Sequence, residues 1–171
     1  MARSRKKGLK ARPPDGDLTH LDRRGYARVV DVGSKPPTRR RAEAVAIVQT
    51  TPEVARVLGE GAMPKGDVAA VARIAAIQGA KRTSELIPLC HPLAITHLAA
   101  DVEVAAGGSI TVTVTAECTG PTGVEMEAMT GASIGALTVY DMIKGLDRSA
   151  RVSGVELRSK SGGRSGSWRR S

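Results

Sequence analysis

The sequence predicts an α+β domain in which an antiparallel sheet carries helices on one face. Three observations predict it. From residue 43 onward, β-type and helical patterns follow the order strand, helix, strand, strand, helix, strand. The strand-like runs alternate, most clearly Ser109 to Thr119 with its Thr and Val. The apolar supply also suits a layered core: 171 residues are 41% hydrophobic and only 2% aromatic. Tyr26, Tyr140 and Trp168 are the aromatics and there is no Phe, so the core must be Ala, Val, Ile and Leu. A chain of this length buries roughly 70% of its unfolded surface and needs no disulfide or metal staple.

The elements follow in order. Arg28 to Val32 and Glu43 to Val48 read as strands, the second alternating around Val45 and Ile47. A basic, proline-containing loop, Lys35 to Arg41, lies between them. Thr51 can cap a short helix, Pro52 fits its first turn, and Gly59 and Gly61 end it. Asp67 to Arg82 predicts a long amphipathic helix with Val68, Val71, Ile74, Ala75 and Gln78 at helical spacing. Pro88 and Pro92 force Leu86 to Leu93 into an extended segment. His97 to Ala105 is a strand, Gly107-Gly108 a hairpin turn, and Gly120 to Gly123 a turn before the second long helix. That helix runs Val124 to Lys144 with Gly145 as its C-terminal cap. Arg151 to Arg158 is the last strand, followed by the glycine-serine loop Ser161 to Gly166. The order is that of a ferredoxin-like sheet.

The net charge of +9 suggests nucleic acid, but its distribution weakens that reading. Residues 1–16 carry +5 and residues 158–171 carry +5, which leaves the middle at −1. Cys90 and Cys118 form no CxxC pair and read as free thiols of a reducing compartment. No apolar run follows the basic N-terminus, and none approaches a bilayer span. The expectation is a soluble cytoplasmic protein.

Charges placed against the fold's own preferences mark the candidate site. Lys65 precedes a helix, where a cation is disfavoured unless an anion joins it. Asp141 lies near the C-terminal end of the second long helix, where an acid is disfavoured; Lys144 shares its face and can pair with it. The pair reads as an ordinary surface pair or as a general acid/base tuned by a cation. Glu125 and Glu127 suit a first helical turn and say little alone. Glu125 and Asp141 stand about 24 Å apart along one helix, so one small site cannot hold both ends. If both matter, there are two sites, or a second subunit completes one. Gly131, Ala132, Ser133, Gly135 and Ala136 offer a small-residue face for such association, with an internal contact against the sheet as the alternative. His91, in the proline-fixed segment beside Cys90, could donate a proton, contact a phosphate or be structural. It makes no familiar metal spacing with His97 and Cys118. Lys160 to Gly166, with Arg164, offers backbone N–H groups and two cations suited to a phosphate.

Taken together, the strings Leu18-Thr19-His20, Lys65-Gly66-Asp67-Val68, Ala80-Lys81-Arg82-Thr83, Leu86-Ile87-Pro88-Leu89-Cys90-His91-Pro92-Leu93, Thr122-Gly123-Val124-Glu125-Met126-Glu127-Ala128, Tyr140-Asp141-Met142 with Lys144, and Lys160-Ser161-Gly162-Gly163 resemble the cyclic pyranopterin monophosphate synthase (MoaC) family. The resemblance runs from Leu18 to Trp168. It implies a ferredoxin-like lyase of molybdenum cofactor biosynthesis. The substrate would be 3′,8-cyclo-7,8-dihydro-GTP, supplied by a radical SAM GTP cyclase, and pyrophosphate would be released. It further implies a homohexamer, a trimer of dimers, with active sites at dimer interfaces. It brings no cofactor, and leaves open whether Mg²⁺ accompanies the triphosphate.

Residue by residue, the resemblance makes Asp141 the active-site acid and Lys65 and Lys144 essential lysines. Leu89, Cys90 and His91 form one substrate-binding segment, Met126 and Glu127 another, and Glu125 is a further carboxylate. Lys160 and Arg164 suit the triphosphate by charge. The chain then divides into a disordered basic tail (1–16), a catalytic domain (17–160) and a glycine/serine-rich basic segment (161–171). Arg39-Arg40-Arg41 is more basic than the family pattern, and Gly131 and Gly135 replace common alanines. An RNA-binding module is the alternative of another class, but such sheets stack bases on aromatics, of which this chain has only three, so no stable nucleic-acid complex is expected. A non-catalytic assembly partner is a third reading, opposed by the presence of every motif charge.

Overall fold

The computed structural model describes residues 25–171. The readings of residues 1–16 and of Leu18-Thr19-His20 lie outside the described residues. The chain divides into a unit ending at Val30 and a second unit, Asp31–Ser171. In the first, Tyr26 is exposed. The second contains β1 (Thr38–Gln49), α1 (Pro52–Gly59), α2 (Val68–Lys81), α3 (Thr83–Leu86), β2 (Ile95–Val104), β3 (Ser109–Gly120), α4 (Glu125–Ile143), β4 (Arg151–Ser161) and β5 (Trp168–Arg169). The sheet order is β2-β3-β1-β4-β5, and all neighbours are antiparallel. With α2 and α4 packed on one face, this is the expected ferredoxin-like arrangement plus an edge strand, β5.

Local chemistry sets the boundaries. Thr51 Oγ1 accepts from the Val54 N–H at 3.3 Å, with Pro52 in the first turn of α1. Asp67 Oδ1 accepts from the Ala70 N–H at 2.9 Å and starts α2. Gly108 closes the β2–β3 hairpin at φ +92°, where a Cβ would collide with the Thr50 carbonyl.

The core is built from alternation. Ala42, Ala44, Ala46 and Val48 of β1 face inward beside Ile110, Val112, Val114, Ala116 and Cys118 of β3. The helices answer with small residues: Ala72, Ala76 and Ala80 on α2, and Ala128, Ala132, Gly135 and Ala136 on α4. Helices and sheet therefore approach closely. A Cβ at Gly135 would stand 2.8 Å from Val112 Cγ1, and one at Gly131 would stand 2.9 Å from Ala76 O. These glycines serve contacts inside the fold, not an association surface.

The structure departs from several expectations. Arg28 to Val32 is not a strand. Asp31 Oδ1 accepts from the Gly33 N–H at 2.9 Å, and the Lys35 N–H bonds to Val32 O at 3.0 Å, so side-chain and turn bonds take over there. The supposed loop 35–41 is strand from Thr38, because Arg39 and Arg41 bond across to Glu117 on β3 at 2.9 and 2.7 Å. Leu86 closes the short helix α3, and the Cys90 N–H bonds to Ile87 O at 3.0 Å, so the proline segment begins as a turn and is irregular only from Cys90. Gly145 takes no positive φ; Lys144 occupies the C-cap instead.

On α2 the larger apolar residues point outward: Val71 and Ile74 are 43% and 59% exposed, while Val68, Ala72, Ala76, Gly79 and Ala80 are buried. A Cβ at Gly79 would stand 2.7 Å from Ile134 Cβ, so the face toward α4 admits only small residues.

Candidate active site

Helix α4 organises the candidate residues into two groups, one at each end. At its N-terminal end, Glu125 lies in the first turn, where the partial positive charge of the helix favours an acid. Its carboxylate folds back over Gly123, where a Cβ would collide with it. Lys160 of β4 reaches it at 2.9 Å. Lys160 pairs in register with Ala42, and so faces the helix side of the sheet. A cleft of about 500 Å³ opens here, lined by Lys35, Arg40, Thr122, Glu125, Lys160 and Arg164 among others.

Glu127, two residues on, turns inward and is 4% exposed. Burial pushes its carboxyl above the ordinary 4.5, opposed by its own backbone N–H and reinforced by the nearby charge of Glu125. Burial, with the charge of Glu127, also raises the thiols of Cys90 and Cys118. Both are therefore neutral thiols, not activated nucleophiles. Leu89, Cys90 and His91 follow α3, all half-buried; α3 packs against α4, and Cys90 lies within reach of the Glu127 charge. Met126 is at the surface.

At the other end of α4, Asp141 receives two lysines. Lys144 Nζ stands 2.6 Å from Asp141 Oδ1. Lys65 Nζ stands 3.8 Å from Oδ2 and donates to the Asp141 backbone carbonyl at 2.9 Å. Lys144, by hydrogen bond and charge, and then Lys65 hold the carboxyl below its ordinary 3.8; Asp141 in turn raises Lys144. Lys65 thus does not oppose the start of α2, as its sequence position suggested. Its ammonium lies on the carbonyl end of α4, where a cation is favoured. All three side chains stay largely exposed.

Within one chain, then, Lys65, Asp141 and Lys144 meet, and Glu125, Glu127, Lys160, Arg164 and the Leu89–His91 segment gather near the opposite end. The two groups do not meet: Glu125 and Asp141 are separated by about 24 Å of helix. Lys35 and Arg40 line the cleft although sequence reasoning placed neither there. The signal for Arg40 was available: it continues the even-numbered inward stripe of Ala42, Ala44 and Ala46. Among the described residues no three His, Cys, Asp or Glu side chains gather to hold a metal ion.

The family model described as the MoaC family matches residues 29–163. A cyclic pyranopterin monophosphate synthase of Roseiflexus sp. (strain RS-1) is 52% identical over 153 residues, covering 89% of this chain and 97% of its own length. Proteins of the same name from Chloroflexus aggregans (strain MD-66 / DSM 9485) and Thermomicrobium roseum (strain ATCC 27502 / DSM 5159 / P-2) are 51% and 50% identical, each covering 90% of this chain and 93% of its own length. The family model spans Lys65, Glu125, Asp141, Lys144 and Lys160 with the helix between the two groups, and the chain belongs to the MoaC family.

Proposed function

We propose that this chain is a cyclic pyranopterin monophosphate synthase. It converts 3′,8-cyclo-7,8-dihydro-GTP to cyclic pyranopterin monophosphate with release of pyrophosphate, in molybdenum cofactor biosynthesis. The observation that carries the proposal beyond family membership is the separation of the two charged groups on α4. A single nucleotide cannot span both ends of the helix, so the active site forms where the Asp141 end of one protomer meets the Glu125 end of its partner. The exposed Val71, Ile74 and Leu137 supply apolar helix surface for such association. The assembly is a hexamer, a trimer of dimers, working in the cytoplasm on the product of a radical SAM GTP cyclase. The free thiols suit a reducing compartment.

The environments divide the proton-transfer roles. Asp141, held ionised by Lys144, accepts a proton. Glu127, whose carboxyl burial makes harder to ionise, donates one while the purine-derived ring is rebuilt. His91 is a second proton carrier. Leu89, Cys90 and Met126 contact the ring. Lys65 and Lys144 neutralise developing charge, and Lys160 and Arg164 hold the triphosphate while a ribose hydroxyl displaces pyrophosphate from the α-phosphorus. Mg²⁺, where it accompanies the triphosphate, belongs to the substrate. Nucleic acid is no part of this reading, because Trp168 is the one aromatic residue in the five strands.

Turnover of the cyclised dihydro-GTP by the purified protein tests the proposal. Product and pyrophosphate should appear in equal amounts. Lys65→Ala and Asp141→Asn variants working at normal rates would refute the roles given to those residues.

A further inference from the structure

Arg40 belongs to the basic run that sequence reasoning left unexplained. It lies on the inward face of β1, directly opposite Cys118 on β3. No described carboxylate forms an ion pair with it. Its guanidinium is spent on backbone. Nε donates to Gly120 O at 3.4 Å, and Nη2 donates to Pro121 O at 3.2 Å. These carbonyls belong to the turn that launches α4, and so fix where Glu125 starts.

The other side of the same guanidinium meets the glycine loop after β4. Gly162 and Gly163 take φ of +97° and +71°. A Cβ on Gly163 would collide with Arg40 Nη1, and one on Gly162 would collide with the Arg39 carbonyl. The loop backbone therefore lies directly on Arg40, with Lys160 just before it and Arg164 just after. One wall of the cleft carries Glu125, the other carries Lys160 and Arg164, and Arg40 touches both walls from below.

We propose that Arg40 is a positioning residue that sets the width of this cleft by tying its two walls together. A planar fork can bond two carbonyls while its remaining edge packs on a third segment. A lysine ammonium is a point donor and cannot serve both walls. Gly163 follows from the same arrangement, since a side chain there would push the loop off the fork, while Gly162 lets the loop pass close to the Arg39 carbonyl. The catalytic consequence rests on the proposed synthase activity: without the fork, Glu125 shifts relative to Lys160 and Arg164, and the reaction slows.

The test has two arms. The first needs no substrate. Hydrogen exchange of the full chain is measured for wild type, Arg40→Ala, Arg40→Lys and Gly163→Ala. Segments 120–123 and 161–166 should exchange faster together, by about tenfold or more in Arg40→Ala, while α2 is unchanged. Faster exchange in one segment alone, or in neither, overturns the proposal.

The second arm is kinetic. Arg40→Ala should lower kcat/KM by about 30-fold, and free guanidinium should restore part of the loss. Arg40→Lys should recover little. Gly163→Ala displaces the same fork besides straining its own backbone, so Arg40→Ala/Gly163→Ala should lose clearly less than the product of the two single losses. Multiplied losses, or an Arg40→Lys enzyme with wild-type rates, overturn the proposal. Should Arg40→Ala not fold, Arg40→Lys and Gly163→Ala carry both arms. A wild-type protein with no turnover would sink the synthase reading and leave the exchange arm to decide on Arg40.

Discussion

The two ends of α4 are built differently. The C-terminal end is an exposed cluster: Lys65, Asp141 and Lys144 hold one another with half or more of each side chain in water. The N-terminal end is interlocked. Glu125 folds over Gly123, Glu127 is buried, and Lys160 arrives from β4. An exposed charge cluster contributes little to folding and is free to act on a ligand. A buried carboxyl is an electrostatic burden on the fold, which makes it the end where function and stability conflict.

Substitutions can break this contrast. The largest effect belongs to the exposed end. Asp141→Asn should lower kcat by about a hundredfold or more, the scale of lost acid–base catalysis, with a melting temperature within a degree or two of wild type. A large loss of stability would show that the cluster is part of the fold after all. Next is the inward side of the helix's last turn: Ile143→Ala empties a fully buried site and should cost about 3–4 kcal/mol in denaturant unfolding.

Glu127→Gln sharpens the contrast through pH. Because the folded-state pKa of Glu127 is raised above 4.5, its stabilising share is present below that value and lost as pH rises through the raised one. The melting temperature of wild type should fall relative to Glu127→Gln between acidic and neutral pH. A parallel pair of curves would mean the carboxyl is not desolvated. Val71→Ser/Ile74→Ser should leave the protomer folded while reducing its assembled mass in sedimentation, since both side chains already face out. The smallest effect is expected on the open face of the sheet. Arg39→Ala should leave the denaturant midpoint essentially unchanged, because Arg41 still pairs with Glu117 and Arg39 is almost fully exposed.

The sheet order was legible because period-2 runs such as Ser109 to Thr119 and the capped starts at Thr51 and Asp67 are local signals. The packing of α2 was not. Hydrophobicity favoured Val71 and Ile74 as the buried stripe, whereas close approach to α4 selected alanine and glycine. That constraint comes from a partner helix some sixty residues away in sequence. Of the site, the split between Glu125 and Asp141 followed from helix length alone. The destination of Lys65 did not, because its side chain crosses to the end of another helix. Arg40 was obscured by its basic neighbours, although its parity with Ala42 placed it inside.

The claim on which the rest depends is that each active site draws one end of α4 from each of two protomers. Mixing two inactive variants, Asp141→Asn and Glu125→Gln, with full subunit exchange tests it most directly. Shared sites predict recovery to about a quarter of wild-type turnover, because half the dimers are mixed and each holds one intact site. Activity that stays at the level of the separate variants after exchange would contradict it.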